Sequence, residues 1–341
     1  MGRLLDSRLP LVAAPMAGGP TTVELAMAAA RAGAFAFLAA GNKAADEVAG
    51  QVEAMSALGA PFGVNLFVPP RGAVDAEAFR AYAAELQPEA DVYGLVLDAL
   101  PVSGDDEWRA KVDLLVRRPV PVVSLTFGLP DRDDVEALRR TGSVVLATVT
   151  STDEARAAER LGVDGLVVQG IGAGGHSAVH DPRATPDDLP TGELVRRVRR
   201  VTALPLVAAG GVDGPAAVRE LLAAGAESVA VGTLLLRTEE AGTSPVHRAA
   251  LAAGPASHGN STVLTRAFTG RPARTVRNGF VDRHDATAPT GYPEVHYLTR
   301  PLRQAAARAG DAERLHLWAG TGHRSAPDGP AADVIAWLSG A

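Results

Sequence analysis

The run Gln169-Gly170-Ile171-Gly172-Ala173-Gly174-Gly175-His176 closes a stretch of valine and leucine with a histidine carried on glycines. An imidazole placed this way suits proton transfer, because small changes around it move its pKa across working pH. A structural histidine fits the same turn equally well. Gly170, Gly172 and Gly175 also match the dinucleotide spacing G-x-G-x-x-G. That fingerprint must open a helix, whereas Ser177-Ala178-Val179-His180-Asp181-Pro182 reads as a loop, so the match is set aside. His176, His180 and Asp181 could ligate a metal, but neither an HExxH pair nor a second histidine cluster accompanies them. No metal is expected.

Two amides interrupt apolar runs. Asn65 lies within Phe62-Gly63-Val64-Asn65-Leu66-Phe67, and Gln169 follows Leu166-Val167-Val168. A buried amide costs free energy unless its donor and acceptor are met. Each could face the mixed donor and acceptor edge of an isoalloxazine ring, or serve internal hydrogen bonds. Pro15-Met16-Ala17-Gly18-Gly19 would let a flat ring lie close to the backbone, though alone it reads as a glycine turn. Ala209-Gly210-Gly211 and Gly232-Thr233 allow a phosphate to approach backbone N–H groups.

All these places fall at the ends of candidate strands. The strand candidates are Leu9–Pro15, Phe35–Ala39, Phe62–Phe67, Tyr93–Leu97, Val120–Leu125, Ser143–Val149, Gly165–Gln169, Pro205–Ala209 and Ser228–Val231. Each leads through a turn to a helical pattern, which predicts an α/β fold, a parallel (β/α)8 TIM barrel with its site at the C-terminal strand ends. The list holds one strand too many. Tyr93–Leu97 is the one to discard, because it follows Pro88 and leads into the acidic, irregular Pro101–Glu107. Gln87–Val116 then reads as an insertion. A doubly wound open sheet would carry a nucleotide fingerprint after its first strand, where this chain has Ala14-Pro15-Met16-Ala17-Gly18-Gly19. Thr21 with Glu24 and Ser151 with Glu154 have capping-box spacing and mark helix starts.

The barrel is expected over residues 1–240, a mostly helical lid over 241–330 and a C-terminal helix over 331–341. The histidines of the lid, His247, His258, His284, His296, His316 and His323, read as surface or hinge residues, though His323 could face the pocket. A hydrophobic content of 47% with 4% aromatic residues requires a core of Ala, Val and Leu, as strands buried on both faces have. A net charge of −6 excludes a nucleic-acid backbone as partner. The absence of cysteine excludes disulfides, thiolate nucleophiles and iron–sulfur clusters. No stretch is apolar and long enough to span a bilayer, and the N-terminal apolar run is short and broken by Pro10 and Pro15. A cytoplasmic protein, monomer or homodimer, is expected.

The ordered motifs resemble bacterial nitronate monooxygenases, formerly called 2-nitropropane dioxygenases, over nearly the whole chain. They are Ala14 to Gly19, Pro61 to Phe67, Val122-Val123-Ser124-Leu125-Thr126-Phe127-Gly128, Gln169 to His176, Ala208 to Gly211 and Val231-Gly232-Thr233. Glu239 to Gly242 and Thr265 to Arg274 continue the likeness downstream. The resemblance implies FMN held by Pro15, Met16, Ala17, Asn65, Gln169, Gly174, Gly175, Gly210, Gly211, Ala230, Val231, Gly232 and Thr233. It implies that His176 takes the α-proton of a nitroalkane, giving a nitronate that dioxygen converts beside the flavin to a carbonyl compound and nitrite. Family members often have Glu at Gly172, Arg-Gly at Ser177-Ala178, and Tyr at Asn42 and at His323. Those departures bear on pocket polarity and substrate size. An FMN-dependent enoyl reductase using NAD(P)H shares the barrel and the Gly-Gly-His turn, and a non-catalytic flavin-binding protein is the third reading.

Overall fold

Strands rich in Val, Leu and Ala pair in parallel when helices can cover both their faces, and that is how this chain folds. The computed structural model describes residues 4–70, 72–253 and 261–340, so His258 lies outside the described residues. In chain order the strands are β1 (Leu11–Ala13), β2 (Phe35–Ala39), β3 (Phe62–Phe67), β4 (Val122–Thr126), β5 (Val144–Val149), β6 (Gly165–Gln169), β7 (Gly175–His176), β8 (Leu206–Ala209), β9 (Ser228–Val231), β10 (Thr262–Thr265) and β11 (Ala273–Val276). The barrel closes in the order β1-β2-β3-β4-β5-β6-β8-β9, with Val12 opposite Ala230 across the seam. This is the predicted (β/α)8 architecture, and Tyr93–Leu97 is not a strand.

Successive strand residues point to opposite faces. Val12, Phe35, Phe37, Val122, Leu146 and Val207 therefore cluster inside the barrel, while their neighbours Leu11, Ala36, Leu38, Val123, Val145 and Leu206 pack outward against helices. Phe37 fits only because β3 carries Gly63 beside it, where a Cβ would stand 2.3 Å from the Phe37 ring.

The helices are α1 (Val23–Ala32), α2 (Ala45–Ser56), α3 (Ala76–Asp91), α4 (Trp108–Arg117), α5 (Arg132–Arg140), α6 (Thr152–Leu161), α7 (Thr191–Arg199), α8 (Pro215–Ala223), α9 (Pro245–Ala252), α10 (Gly279–His284), α11 (Glu294–Ala309) and α12 (Ala331–Ser339). Helix α4 puts Val112 and Leu115 into the main barrel core, whereas α3 packs Phe79, Tyr82 and Leu86 against Phe268, Phe280 and Leu298 of the lid. Within and around the 87–116 span, α3 thus packs on the lid side and α4 on the barrel side. The C-terminal helix α12 buries Val334, Ile335 and Leu338 in the barrel core beside α1 and supplies the barrel's last helix. The lid combines α9, α10 and α11 with the antiparallel hairpin β10–β11, to which β7 adds a third strand. Among the described residues no helix is long and apolar enough to cross a membrane.

Local signals explain the turns at the site. Ser151 caps α6 by accepting the Glu154 N–H at 3.2 Å. The Glu154 carboxylate does not return that bond. It accepts from the N–H and hydroxyl of Thr150 and from the His180 N–H, fixing the loop after β6. Helix α1 is capped by Thr22, which accepts the Leu25 N–H at 2.9 Å, and not by Thr21. The Thr21 hydroxyl instead accepts the Met16 N–H at 2.8 Å and closes the turn after β1.

Candidate active site

A cavity opens at the C-terminal ends of the barrel strands and is covered by the lid. Pro15, Met16 and Ala17 line it from the turn after β1, Asn65 from β3 and Gln169 from the end of β6. Gly174, Gly175 and His176 line it from the following turn, Gly210 and Gly211 from just after β8, Ala230 and Val231 from β9, and Gly232 and Thr233 from the turn after it. Every residue singled out from sequence for cofactor or catalysis is therefore brought to one place.

The turn bearing His176 is held by backbone pairing. His176 lies opposite Ala273 in the antiparallel β7–β11 pair, and the Ser177 N–H donates to the Pro272 carbonyl at 2.7 Å. Gln169 spans the turn: its Oε1 accepts the Ala178 N–H at 2.8 Å and its Nε2 donates to the His176 carbonyl at 3.2 Å. This amide does the internal work that the sequence left as an alternative. Asn65 differs. Its Nδ2 donates to the Ser124 and Thr126 hydroxyls, both at 2.9 Å, while its Oδ1 has no partner among the described residues.

The His176 ring stands between Phe127, Tyr292 and Trp318, with centroid separations of 5.5, 5.4 and 5.5 Å. Its Nε2 is 2.9 Å from the Thr269 hydroxyl, which itself lies 3.4 Å from the Arg271 carbonyl. With the hydroxyl donating to that carbonyl, its lone pair receives the Nε2–H of a neutral imidazole, and Nδ1 is left with its lone pair. Burial, then the charges of Arg271 and Arg303, lower the His176 pKa to about 3. The imidazole is neutral at rest.

Glycines allow the strand ends and lid to meet backbone to backbone. A Cβ on Gly174 would stand 2.5 Å from the Gly320 nitrogen, and one on Gly210 would stand 2.7 Å from the Ala173 nitrogen. At Gly172, where the resembling family often has Glu, a Cβ would meet Thr321 Oγ1 at 2.9 Å. The backbone N–H groups of Gly211, Gly232 and Thr233 find no acceptor among the described residues, and Gly320 is tied to Thr233 by an N–H···Oγ1 bond of 2.9 Å.

The lid supplies what sequence reading missed. His247, His296, His316 and Arg303 line the cavity, and no aspartate or glutamate does among the described residues. His247, His284, His296 and His323 are buried, so the surface or hinge reading of those histidines is corrected. His323 does not line the cavity; its Nδ1 lies 3.2 Å from the Gly320 carbonyl. Tyr292, His296, Thr299 and Arg303 follow one another at helical spacing on α11 and the residue pair preceding it, a row that polar character disguised as a solvated face. Asn42, another departure, receives a 3.4 Å hydrogen bond from the Tyr292 hydroxyl. His180 and Asp181 serve other ends: His180 Nε2 donates to the Thr148 carbonyl at 3.0 Å, and Asp181 pairs with Arg183. Among the described residues no cluster of three potential ligands could hold a metal.

Glycine-rich strand ends and a neutral histidine under a lid, at the C-terminal side of a closed parallel barrel, give the site of a β/α-barrel enzyme. The chain belongs to the nitronate monooxygenase family, whose model, described as nitronate monooxygenase, matches residues 4–340. It is 30% identical over 338 residues to a probable nitronate monooxygenase of Staphylococcus aureus, covering 98% of this chain and 94% of that protein. The structure of a nitroalkane oxidase from Streptomyces ansochromogenes superposes with a TM-score of 0.93 at 43% identity, covering 98% of this chain and 95% of the other. FabK from Thermotoga maritima, at 24% identity and a TM-score of 0.73 over 98% and 93% of the two chains, shares the fold.

Proposed function

We propose that this protein binds FMN and oxidises nitronates, and nitroalkanes through their nitronates, with dioxygen to carbonyl compounds and nitrite, His176 serving as general base. The observation that carries the reading is the His176 ring in a cavity with buried arginine charge and no lining carboxylate, its Nε2 2.9 Å from the Thr269 hydroxyl, a contact that leaves Nδ1 as the basic atom when that hydroxyl donates to the Arg271 carbonyl.

The residues present fit FMN. The free N–H groups of Gly211, Gly232 and Thr233 can receive its phosphate, and the open Oδ1 of Asn65 can accept from the ring edge. Pro15 to Ala17 present small side chains and backbone to a ring plane. When bound, FMN supplies the electron acceptor that these side chains lack.

His176 Nδ1 takes the α-proton of the neutral nitroalkane, the C–H pair moves into the C=N bond, and the negative charge settles on the nitro oxygens. A base with so low a pKa is weak against an isolated carbon acid. The charges of Arg271 and Arg303 that disfavour the imidazolium also stabilise the nitronate anion formed opposite it, so the transfer is favoured by the charge of the product carbon acid and not by the strength of the base. Thr269 accepts the Nε2–H in both protonation states, so Nδ1 stays aimed at the substrate. Phe127, Tyr292 and Trp318 keep water from the transferred proton.

His176→Asn tests the role. Turnover of neutral 2-nitropropane is expected to fall by about 10²–10⁴-fold, with a much smaller loss on the preformed nitronate, which needs no deprotonation. Nitrite release from both forms measures this, and equal losses on the two would sink the base assignment.

A further inference from the structure

Arg303 is 6% exposed and forms no ion pair with any described carboxylate. Its Nε donates to the Thr299 hydroxyl at 3.0 Å, and Nη2 to the His296 carbonyl at 2.9 Å and to His296 Nδ1 at 3.2 Å. Nη1 lies 3.5 Å from His316 Nδ1. A guanidinium only donates, so both Nδ1 atoms must accept and both rings must be neutral with their proton on Nε2. Each ring lines the cavity, and neither Nε2 has a partner among the described residues. The result is a pair of N–H donors beside a buried cation that lacks a counter-charge. Buried cations are strongly disfavoured unless an anion meets them.

The donors are displaced from the base. His296 follows Tyr292 and His316 follows Trp318 in ring contacts of 5.9 and 5.0 Å, and those two aromatic rings are the ones that flank His176. We infer that Arg303, His296 and His316 form a recognition subsite for a planar oxyanion of the substrate, either a carboxylate or the nitronate oxygens, with Arg303 also setting the tautomer of both histidines. The identity of the substrate rests on the oxidation proposed above; the anion subsite itself does not.

The test uses the flavin-loaded protein with ¹⁵N-labelled histidine. Titration with potassium nitrate should shift the Nε2–H resonances of His296 and His316, with both rings reporting Nε2–H tautomers before nitrate is added. Arg303→Met should weaken nitrate binding by about tenfold or more and redistribute the tautomers, and Arg303→Lys should restore part of the affinity without restoring both tautomers. Should Arg303→Met not fold, His316→Gln, which keeps an amide donor, is expected to bind nitrate while His316→Phe loses it. Nitrate binding unchanged in Arg303→Met, or in His316→Phe, overturns the subsite.

Kinetics separate the occupants. A KM raised about tenfold for both propane-2-nitronate and propionate-3-nitronate, with kcat little altered, assigns the subsite to the nitronate oxygens. A rise confined to the carboxylated substrate assigns it to the carboxylate, and no rise with either overturns the proposal. If the native protein turns over neither nitronate but nitrate still shifts the two histidines, the oxidation fails and the subsite stands.

Discussion

Two clusters of arginine and histidine lie in the lid region, and they differ in one respect. Beneath α10, Glu89 accepts from Arg283 and Arg314, each at 2.6 Å, and lies 3.0 Å from His284 Nε2, while Glu85 meets His284 Nδ1 at 2.7 Å. Burial pushes the Glu89 carboxyl up, but its bonds from Arg283, His284 and Arg314 outweigh that and hold it at about 2. Around the cavity, Arg271 and Arg303 bond to carbonyls, a hydroxyl and ring nitrogens, with no carboxylate among those partners. Burial draws both guanidinium pKa values down to about 10. The first cluster is electrically complete and fastens α3 to the lid. The second keeps charge in reserve, which is what a site for an anionic substrate requires.

Removing the hydroxyl that orients His176 should break the cavity cluster most. Thr269→Val keeps the shape but leaves Nε2–H without its acceptor, and kcat/KM for a neutral nitroalkane is expected to fall about 10–100-fold. Thr269→Ser should recover most of it. A valine variant with full activity would dismiss the tautomer drawn from the 2.9 Å contact.

The opposite change belongs to the clamp. Glu89→Gln should cost roughly 2 kcal/mol in denaturant unfolding, less than a fully buried pair, because Arg283 and Arg314 are 44% and 25% exposed and partly screened. Its kcat/KM should match the native protein. A loss of activity without a loss of stability would erase the distinction between the two clusters.

Acid sharpens the same contrast more gently. Glu89 has a folded pKa below its unfolded one, so its stabilisation is full above about 4.5 and is lost as pH falls toward 2. The cavity histidines begin earlier. His176 and His296 are held at about 3 and about 2, so the unfolded chain binds their protons first and stability declines from about pH 6.5 downward. Unfolding curves for Glu89→Gln and His296→Phe across that range should show the two windows separately. In activity, kcat/KM for a neutral nitroalkane should show no acid limb near 6.5, since His176 stays unprotonated until pH approaches 3.

Much of the barrel was legible because its signals are local. Phe35–Ala39, Phe62–Phe67, Gly165–Gln169 and Ser228–Val231 have the same bounds in sequence and structure, since continuous apolar runs bounded by turns leave few other choices. The stretch around α3 and α4 was less legible because α4 follows an irregular acidic run, and only packing shows that Val112 and Leu115 reach the barrel core while α3 packs on the lid. The capping threonine shifted by one residue for a related reason: Thr21 and Thr22 are alike in propensity, and Thr21 is taken by Met16 N–H.

The sequence by itself determined the strand ends, and with them the positions of Asn65, Gln169, His176 and the glycines, because strand periodicity and turn glycines act over a few residues. Only the tertiary structure decided what surrounds them. His296, Arg303 and His316 lie more than a hundred residues from His176 in the chain and read as polar surface. They become a site because the lid folds their polar face inward over the barrel, and burial, which no local pattern encodes, turns ordinary arginine and histidine into neutral donors and uncompensated charge.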